Sequence, residues 1–235
     1  MISGILFLFI GIVGLWVGLP YVVRKVSERK LATLCRSSKA VVLTYDDGPS
    51  ANLTSEVLEL LDQYAAKATF FMLGDRLDDA VETGGTVVAQ GHELGSHSQS
   101  HLNAWREAPW RIAVDLRHGF RSIEALGVPV RFFRPPHGKL TLGSMIQVLI
   151  RGDRLGWWTI DSTDTNTVIS SPEKIAQQVS KDGGGVVLLH DFDRGSGSDR
   201  NRFVLDTTRC LLEMAKREGY RVMPLGQLYA RIDQN

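Results

Sequence analysis

The chain is nearly devoid of cysteine. Cys35 and Cys210 are the only two in 235 residues, which excludes a disulfide framework and a cysteine-rich zinc module. It also lacks net charge. A formal balance of +1 gives no global pull toward nucleic acid, so no nucleic-acid partner is expected. It does not have the composition of a disordered polypeptide, being 43% apolar and 23% charged. There is no internal repeat and no low-complexity tract. Gly183-Gly184-Gly185 is a turn before a strand and not a phosphate loop, because no lysine or helix start follows it. The last absence is local: residues 1–23 carry no charged side chain at all.

That first stretch, MISGILFLFIGIVGLWVGLPYVV, is long enough as a helix to cross the roughly 30 Å hydrocarbon core of a bilayer. Trp16 and Tyr21 lie toward its carboxyl end, where amphipathic rings favour the interface. A cleaved signal peptide fits less well, since there is no basic leader and no small-x-small site after the apolar run. Cys35 is a poor lipoprotein site, because Leu34 is bulky and charges separate it from the apolar stretch. Residues 24–39 hold Arg24, Lys25, Arg29, Lys30, Arg36 and Lys39 against Glu28 alone, and the remainder is slightly acidic. The chain therefore divides into a transmembrane anchor (1–23), a basic juxtamembrane linker (24–38) and a soluble domain (39–235). No Lys or Arg precedes the apolar run and four follow it by Lys30. The positive-inside rule then makes this a single-pass membrane protein with its domain on the cytoplasmic side.

From residue 39 onward short apolar runs alternate with longer amphipathic stretches. Strands are predicted at Ala40–Thr44, Ala68–Met72, His92–Gly95, Arg131–Arg134, Gly156–Ile160, Gly185–Leu189 and Arg221–Met223. Helices are predicted at Thr54–Tyr64, Leu77–Ala89, Trp105–Leu126, Leu142–Arg151, Pro172–Val179 and Arg202–Glu218, with Ser171 capping the fifth. Such alternation implies an α/β fold with a parallel sheet covered by helices. The length is short for an eight-fold barrel of about 250 residues. A shortened or incomplete β/α barrel fits, and an open doubly wound sheet is the alternative.

The chemistry-bearing residues fall just beyond the strand ends. Asp46 and Asp47 follow the first, His97 and His101 the third, Arg134 and His137 the fourth, Asp161 and Asp164 the fifth, and His190 the sixth. In a parallel β/α architecture these ends share one face, where active sites are built. His97 and His101 are four apart, so one helical turn would present both on one side. Two neutral imidazoles and a carboxylate suit a catalytic divalent metal. Adjacent carboxylates at a strand end point in different directions, so one can bind a metal while the other meets the metal-bound water. Arg134, stiffened by two following prolines, can hold a carboxylate. A carboxylate beside an imidazole favours its cationic form, which would suit Asp161 and His190 as a general-acid pair. Taken singly, each of these has an ordinary structural explanation: a solvated turn, a salt bridge or a buried histidine.

Together they resemble the polysaccharide deacetylase family, the NodB homology domain of carbohydrate esterase family 4. The likeness runs from about Lys39 to Ile232. Thr44-Tyr45-Asp46-Asp47-Gly48-Pro49-Ser50 is similar to the family's first motif and His97-Ser98-Gln99-Ser100-His101 to the second. Arg134-Pro135-Pro136-His137-Gly138 resembles the third, Asp161-Ser162-Thr163-Asp164 the fourth and Leu188-Leu189-His190 the fifth. Two departures stand out: His137 replaces the usual tyrosine, and Thr165 replaces a usual tryptophan.

The resemblance implies an incomplete (β/α)7 barrel and one divalent ion, zinc, bound by Asp47, His97 and His101. It makes Asp46 the general base held by Arg134, and His190 the general acid supported by Asp161. The backbone amide of His137 becomes an oxyanion donor. The implied reaction is hydrolysis of the N-acetyl group of an amino sugar, in an oligosaccharide, a polysaccharide or a lipid-linked saccharide. The alternatives are hydrolysis of another C–N amide, such as a sugar formamide or a cyclic imide, and a membrane-tethered sugar-binding protein with a decayed site. The family often works on envelope glycans, so a periplasmic or extracellular domain is the alternative placement.

Overall fold

In the computed structural model, which describes residues 11, 14–193 and 199–231, the strands build one parallel sheet. In chain order they are β1 (Ala40–Asp46), β2 (Thr69–Met72), β3 (Glu93–Ser96), β4 (Phe132–Phe133), β5 (Arg154–Leu155), β6 (Ile160–Asp161), β7 (Gly185–His190) and β8 (Arg221–Val222). The spatial order is β5-β4-β3-β2-β1-β7-β6, with β8 pairing beside the start of β1. The path ends at β5 and β6, so the sheet is an open, curled half-barrel. Central β1 reads AVVLTYD and is buried along its whole length, as expected of a strand covered on both faces.

The helices are α1 (Leu19–Ser38), α2 (Leu53–Gln63), α3 (Gly74–Asp79), α4 (Val81–Ala89), α5 (Pro109–Glu124), α6 (Leu142–Ile150), α7 (Pro172–Asp182), α8 (Asp199–Glu218) and α9 (Leu225–Ala230). Side chains alternate along β1. Val41, Leu43 and Tyr45 join the outer core, with Leu58 and Leu61 of α2 and Leu211 of α8. Ala40 and Val42 join an inner core with Phe71, Trp157, Val186 and Leu225. Ser171 and Thr141 accept from the backbone N–H groups of Lys174 and Ser144 and so cap α7 and α6.

Two expectations about elements need correction. Of the expected strand Gly156–Ile160 only Ile160 lies in the sheet, at the start of β6; β5 ends at Leu155 and residues 156–159 belong to neither. The Gly156 carbonyl accepts from the guanidinium of Arg134 at 2.9 Å, and a Cβ there would meet the Phe71 ring at 2.4 Å, so the chain leaves the ladder to clear the site. The expected Leu77–Ala89 helix is likewise two helices, broken at Ala80 (φ −140°, ψ 46°).

The larger correction concerns residues 24–38. They are not a linker. They form most of α1, which lies over the inner face of the sheet, with Leu31 (1% exposed) and Cys35 (0%) sealing the inner core. Burying one leucine contributes roughly 1.5–3 kcal/mol. Gly184 makes the close approach feasible: at φ +124° it would bring any Cβ within 2.4 Å of the Ala40 carbonyl and 3.0 Å of the Cys35 carbonyl.

Of the expected anchor, 1–23, residues 1–10, 12 and 13 lie outside the described residues. Among the described residues no helix is long and apolar enough to cross a membrane. What is described of it is a π-helical turn, Gly14–Gly18, running into α1. There the ring of Trp16 packs on Gly143 of α6, 3.0 Å from where a Cβ would stand.

Candidate active site

The carboxyl ends of β1, β3, β4, β6 and β7 converge on a cavity of about 330 Å³. Its walls include Asp46, Asp47, His97, His101, His137, Trp158, Asp161, Thr165, Leu188 and His190. Among the described residues seven non-glycine residues have φ between +48° and +77°, and five of them sit in these strand-end loops: Asp47, Ser98, His101, His137 and Thr163. Such backbone conformations are costly for L-residues and persist where the surroundings over-determine them.

Asp47 turns away from its neighbour through φ +70°. Its Oδ1 lies 3.3 Å from His97 Nε2 and 3.2 Å from His101 Nε2. The three ligand atoms all lie within 4.8 Å of one another. Asp47 Oδ1 is buried with no hydrogen-bond partner. The Nδ1 of His97 stands 2.7 Å from the Arg134 carbonyl oxygen. A carbonyl only accepts, so Nδ1 carries the proton and Nε2 presents its lone pair to the cluster. Burial raises the Asp47 pKa, but the adjoining imidazoles, His97 first, outweigh this and hold it well below the usual carboxylate range. Burial and His97 push His101 down to about 4, so its ring is neutral at physiological pH. Three converging lone-pair donors around an orphaned carboxylate oxygen fit a divalent cation.

The two histidines do not share a helical turn as expected. Residues 97–101 form a loop, with positive φ at Ser98 and His101. The loop is clamped from behind: α5 passes so close that a Cβ on Gly119 would lie 2.3 Å from the Ser98 backbone. Asp115 Oδ1 accepts from the Ser100 N–H at 2.9 Å.

Asp46 faces the other way. Its Oδ1 accepts from Arg134 Nη1 at 2.7 Å, and its Oδ2 is 3.8 Å from His97 Nε2. Arg134 is fully buried, donates also to Thr44 Oγ1, and stacks 4.0 Å over Phe71. Arg134 thus grips the Asp46 carboxylate from the buried side. His137 occupies a turn at φ +56°, its ring 4.3 Å from that of His101. The N–H groups of Gly138 and Lys139 are used within the turn, and that of His137 is not.

The expected partner of His190 was the wrong aspartate. Asp161 is exposed and its Oδ1 accepts from the Thr163 N–H. The residue that engages His190 is Asp164, fully buried, with Oδ1 2.8 Å from Nδ1 and Oδ2 accepting from the His190 N–H at 2.9 Å. Burial lowers the His190 pKa, but Asp164, then Asp46 and Asp47, outweigh it and push it up to about 9.

Two features escaped the sequence. Trp158 and Leu188 supply apolar wall beside Thr165. Arg24, from α1, donates to the Gly138 carbonyl at 3.0 Å and stacks 4.6 Å from Trp158 and 4.8 Å from Trp157. Nothing in the local sequence signals a contact across 114 residues.

Comparison with known proteins agrees with this geometry. The family model described as polysaccharide deacetylase matches residues 33–149. A peptidoglycan-N-acetylglucosamine deacetylase of Bacillus cereus is 31% identical over 82% of this chain and 89% of its own. This chain belongs to the polysaccharide deacetylase family. Among solved structures, peptidoglycan deacetylase PdaC from Bacillus subtilis superposes with a TM-score of 0.71 at 26% identity, over 84% of this chain and 93% of that one. A CE4 family pseudoenzyme from Bacillus anthracis superposes with a TM-score of 0.70 at 24% identity, over 82% and 66%. Deacetylases and a pseudoenzyme thus share the half-barrel, so activity has to be argued from the site and not from the fold.

Proposed function

We propose that this protein hydrolyses the N-acetyl group of an amino sugar, releasing acetate and a free amine. The observation that carries the reading is the pairing, within one cavity, of an arginine-held carboxylate and a carboxylate-held imidazole on either side of a three-ligand cluster. Asp47, His97 and His101 hold a divalent cation, with zinc the best match to two imidazoles and one carboxylate. When bound, that ion supplies Lewis-acid polarisation of the amide carbonyl and acidifies water.

The rest is the work of side chains. Asp46 Oδ2 takes the proton of the attacking water while Arg134 fixes Oδ1. As oxygen adds to the carbonyl carbon, the free His137 N–H is placed to donate to the developing oxyanion, a contribution of roughly 2.7–4 kcal/mol per donor. The C–N bond then breaks, and His190, kept cationic by Asp164, gives its proton to the departing amine. Trp158 and Leu188 offer an apolar surface to the acyl methyl.

The sugar is presented at a membrane to which residues 1–23 hold the protein, with the domain on the cytoplasmic side. The support for this is the charge-free run 1–23 and the basic residues that follow it, Arg24, Lys25, Arg29 and Lys30. Acetate release by the zinc-loaded full chain from chitooligosaccharides, peptidoglycan fragments and a polyprenyl-linked N-acetyl amino sugar tests the activity. Stoichiometric metal with no acetate from any of the three would refute it. Alkaline phosphatase and green fluorescent protein fused after Asn235 test the side, a dark fluorescent protein with strong phosphatase activity refuting it.

A further inference from the structure

The outer surface of α5 and α6 is unusually apolar. On α6, Ile146, Leu149 and Ile150 are 44%, 58% and 81% exposed, and on α5 Trp110 and Val114 are 71% and 40% exposed. Single exposed apolar residues are ordinary, but a contiguous set marks an interaction surface. Here the spacing is i, i+3, i+4 on one helix and i, i+4 on the other, so each helix turns one side outward. The two helices touch: Gln147 Nε2 donates to the Ala113 carbonyl at 3.0 Å.

What would cover this face is indicated by the chain itself. Residues 14–22, the described end of the charge-free stretch, meet it: Trp16 packs on Gly143 in the first turn of α6. Leu15, Leu19, Tyr21 and Val22 are then 56%, 41%, 54% and 56% exposed. The exposed basic side chains of α5 are Arg111, Arg117 and Arg121, with Glu124 the acid near its end. Arg151 follows α6 and pairs with Glu124. Lys139 precedes α6, its Nζ 4.1 Å over the exposed Trp105 ring. Apolar and aromatic groups mixed with a basic excess are the make-up of an interfacial surface on a bilayer of anionic lipid.

We infer that the α5–α6 face is a membrane-docking surface. The catalytic domain lies with Ile146, Leu149, Ile150 and Trp110 in the headgroup region, beside residues 14–22, and does not hang free of the bilayer. This rests on the proposed membrane association of residues 1–23 and is independent of the deacetylase chemistry. The loop carrying His137 and Gly138 runs straight into Lys139 and the first turn of α6, so docking along α6 holds the cavity mouth at a fixed distance from the headgroups. An amino sugar displayed there, on a lipid carrier, is the substrate that this geometry suits.

The test uses the full chain in vesicles of phosphatidylcholine and phosphatidylglycerol at 3:1. An environment-sensitive fluorophore is placed at Ile150→Cys and, as a control, at Glu59→Cys on α2. The expected result is a blue-shifted emission and strong quenching by spin-labelled lipid at 150 and neither at 59. Equal behaviour at the two positions overturns the proposal. So does a blue shift at 150 that precedes vesicle addition: if it is lost on dilution a second copy covers the face, and if not, the chain's own amino-terminal segment does. Should the labelled variants fold poorly, brominated-lipid quenching of the native tryptophans, compared with Trp110→Phe, gives the same information. No loss of quenching in that variant refutes docking.

Discussion

Asp164→Asn separates the two aspartates of the fourth motif. In the folded protein Asp164 grips His190 through both oxygens, and the His190 pKa stands at about 9 against an ordinary 6.5. Asparagine keeps the shape but removes the charge. Burial is then the dominant remaining influence, and it acts downward. The pKa should fall to about 6.5 or below, a change of roughly 3 kcal/mol in favour of the neutral ring. At pH 8 the protonated fraction drops from ~0.9 to ~0.03, so turnover limited by proton donation should fall ~30-fold. At pH 6 much of it should return.

The signature is therefore a displacement of the alkaline limb of the kcat profile toward acid by about 2.5 pH units or more, a shift that simple loss of folded protein would not produce. Asp161→Asn should leave the limb where it is. A stability readout needs no substrate. A histidine whose folded pKa is raised contributes stability in full below its unfolded pKa and loses it as pH climbs through the folded value, here between about 6.5 and 9. Thermal melts of the wild type should drop across that window and those of Asp164→Asn should not. A limb that stays put in Asp164→Asn, or moves in Asp161→Asn, would refute the assignment.

Three further outcomes are expected. His97→Ala and His101→Ala should each lose the divalent ion, measured by elemental mass spectrometry, along with activity; stoichiometric metal in the double variant sinks the ligand set. Asp46→Asn should retain the ion and lose ~10²–10⁴ in turnover, the usual scale for a general base; near-normal turnover would place the base elsewhere. Leu31→Ala should destabilise by about 2–5 kcal/mol and lower Tm on the order of 10 °C, because α1 is part of the core; an unchanged melt would mean that α1 is dispensable.

The site was legible where chemistry and strand ends coincide. Asp46, Asp47, His97, His101, Arg134 and His190 all lie where a parallel sheet delivers them, and each motif is written in a few adjacent residues. What was not legible depends on the path of the chain between such points. Asp161 and Asp164 are three apart in one turn, and only the backbone reversal at Thr163 (φ +64°) decides which of them reaches His190. The break between β5 and β6 arises from a buried guanidinium taking a carbonyl that a strand partner would otherwise take. Residues 24–38 looked like a linker because basic residues dominate them. Leu31 and Cys35, one helical turn apart, were too sparse a stripe to announce a core helix.

The grip of Arg24 on Gly138 and Trp158 bears on how far this enzyme can reach. A flexible tether lets a catalytic domain sample a wide radius, with a span that grows with linker length. Between Leu19 and Arg24, inside one helix, there is no slack to sample. Arg24 lies about 8 Å along the axis of α1 from Leu19, and it is bonded to the cavity wall itself. Under the proposed membrane association, whatever fixes residues 14–22 also fixes the height and tilt of the active site. Its selectivity becomes in part positional: a glycan whose acetamido group cannot be brought to that height is excluded, however well its sugar would fit.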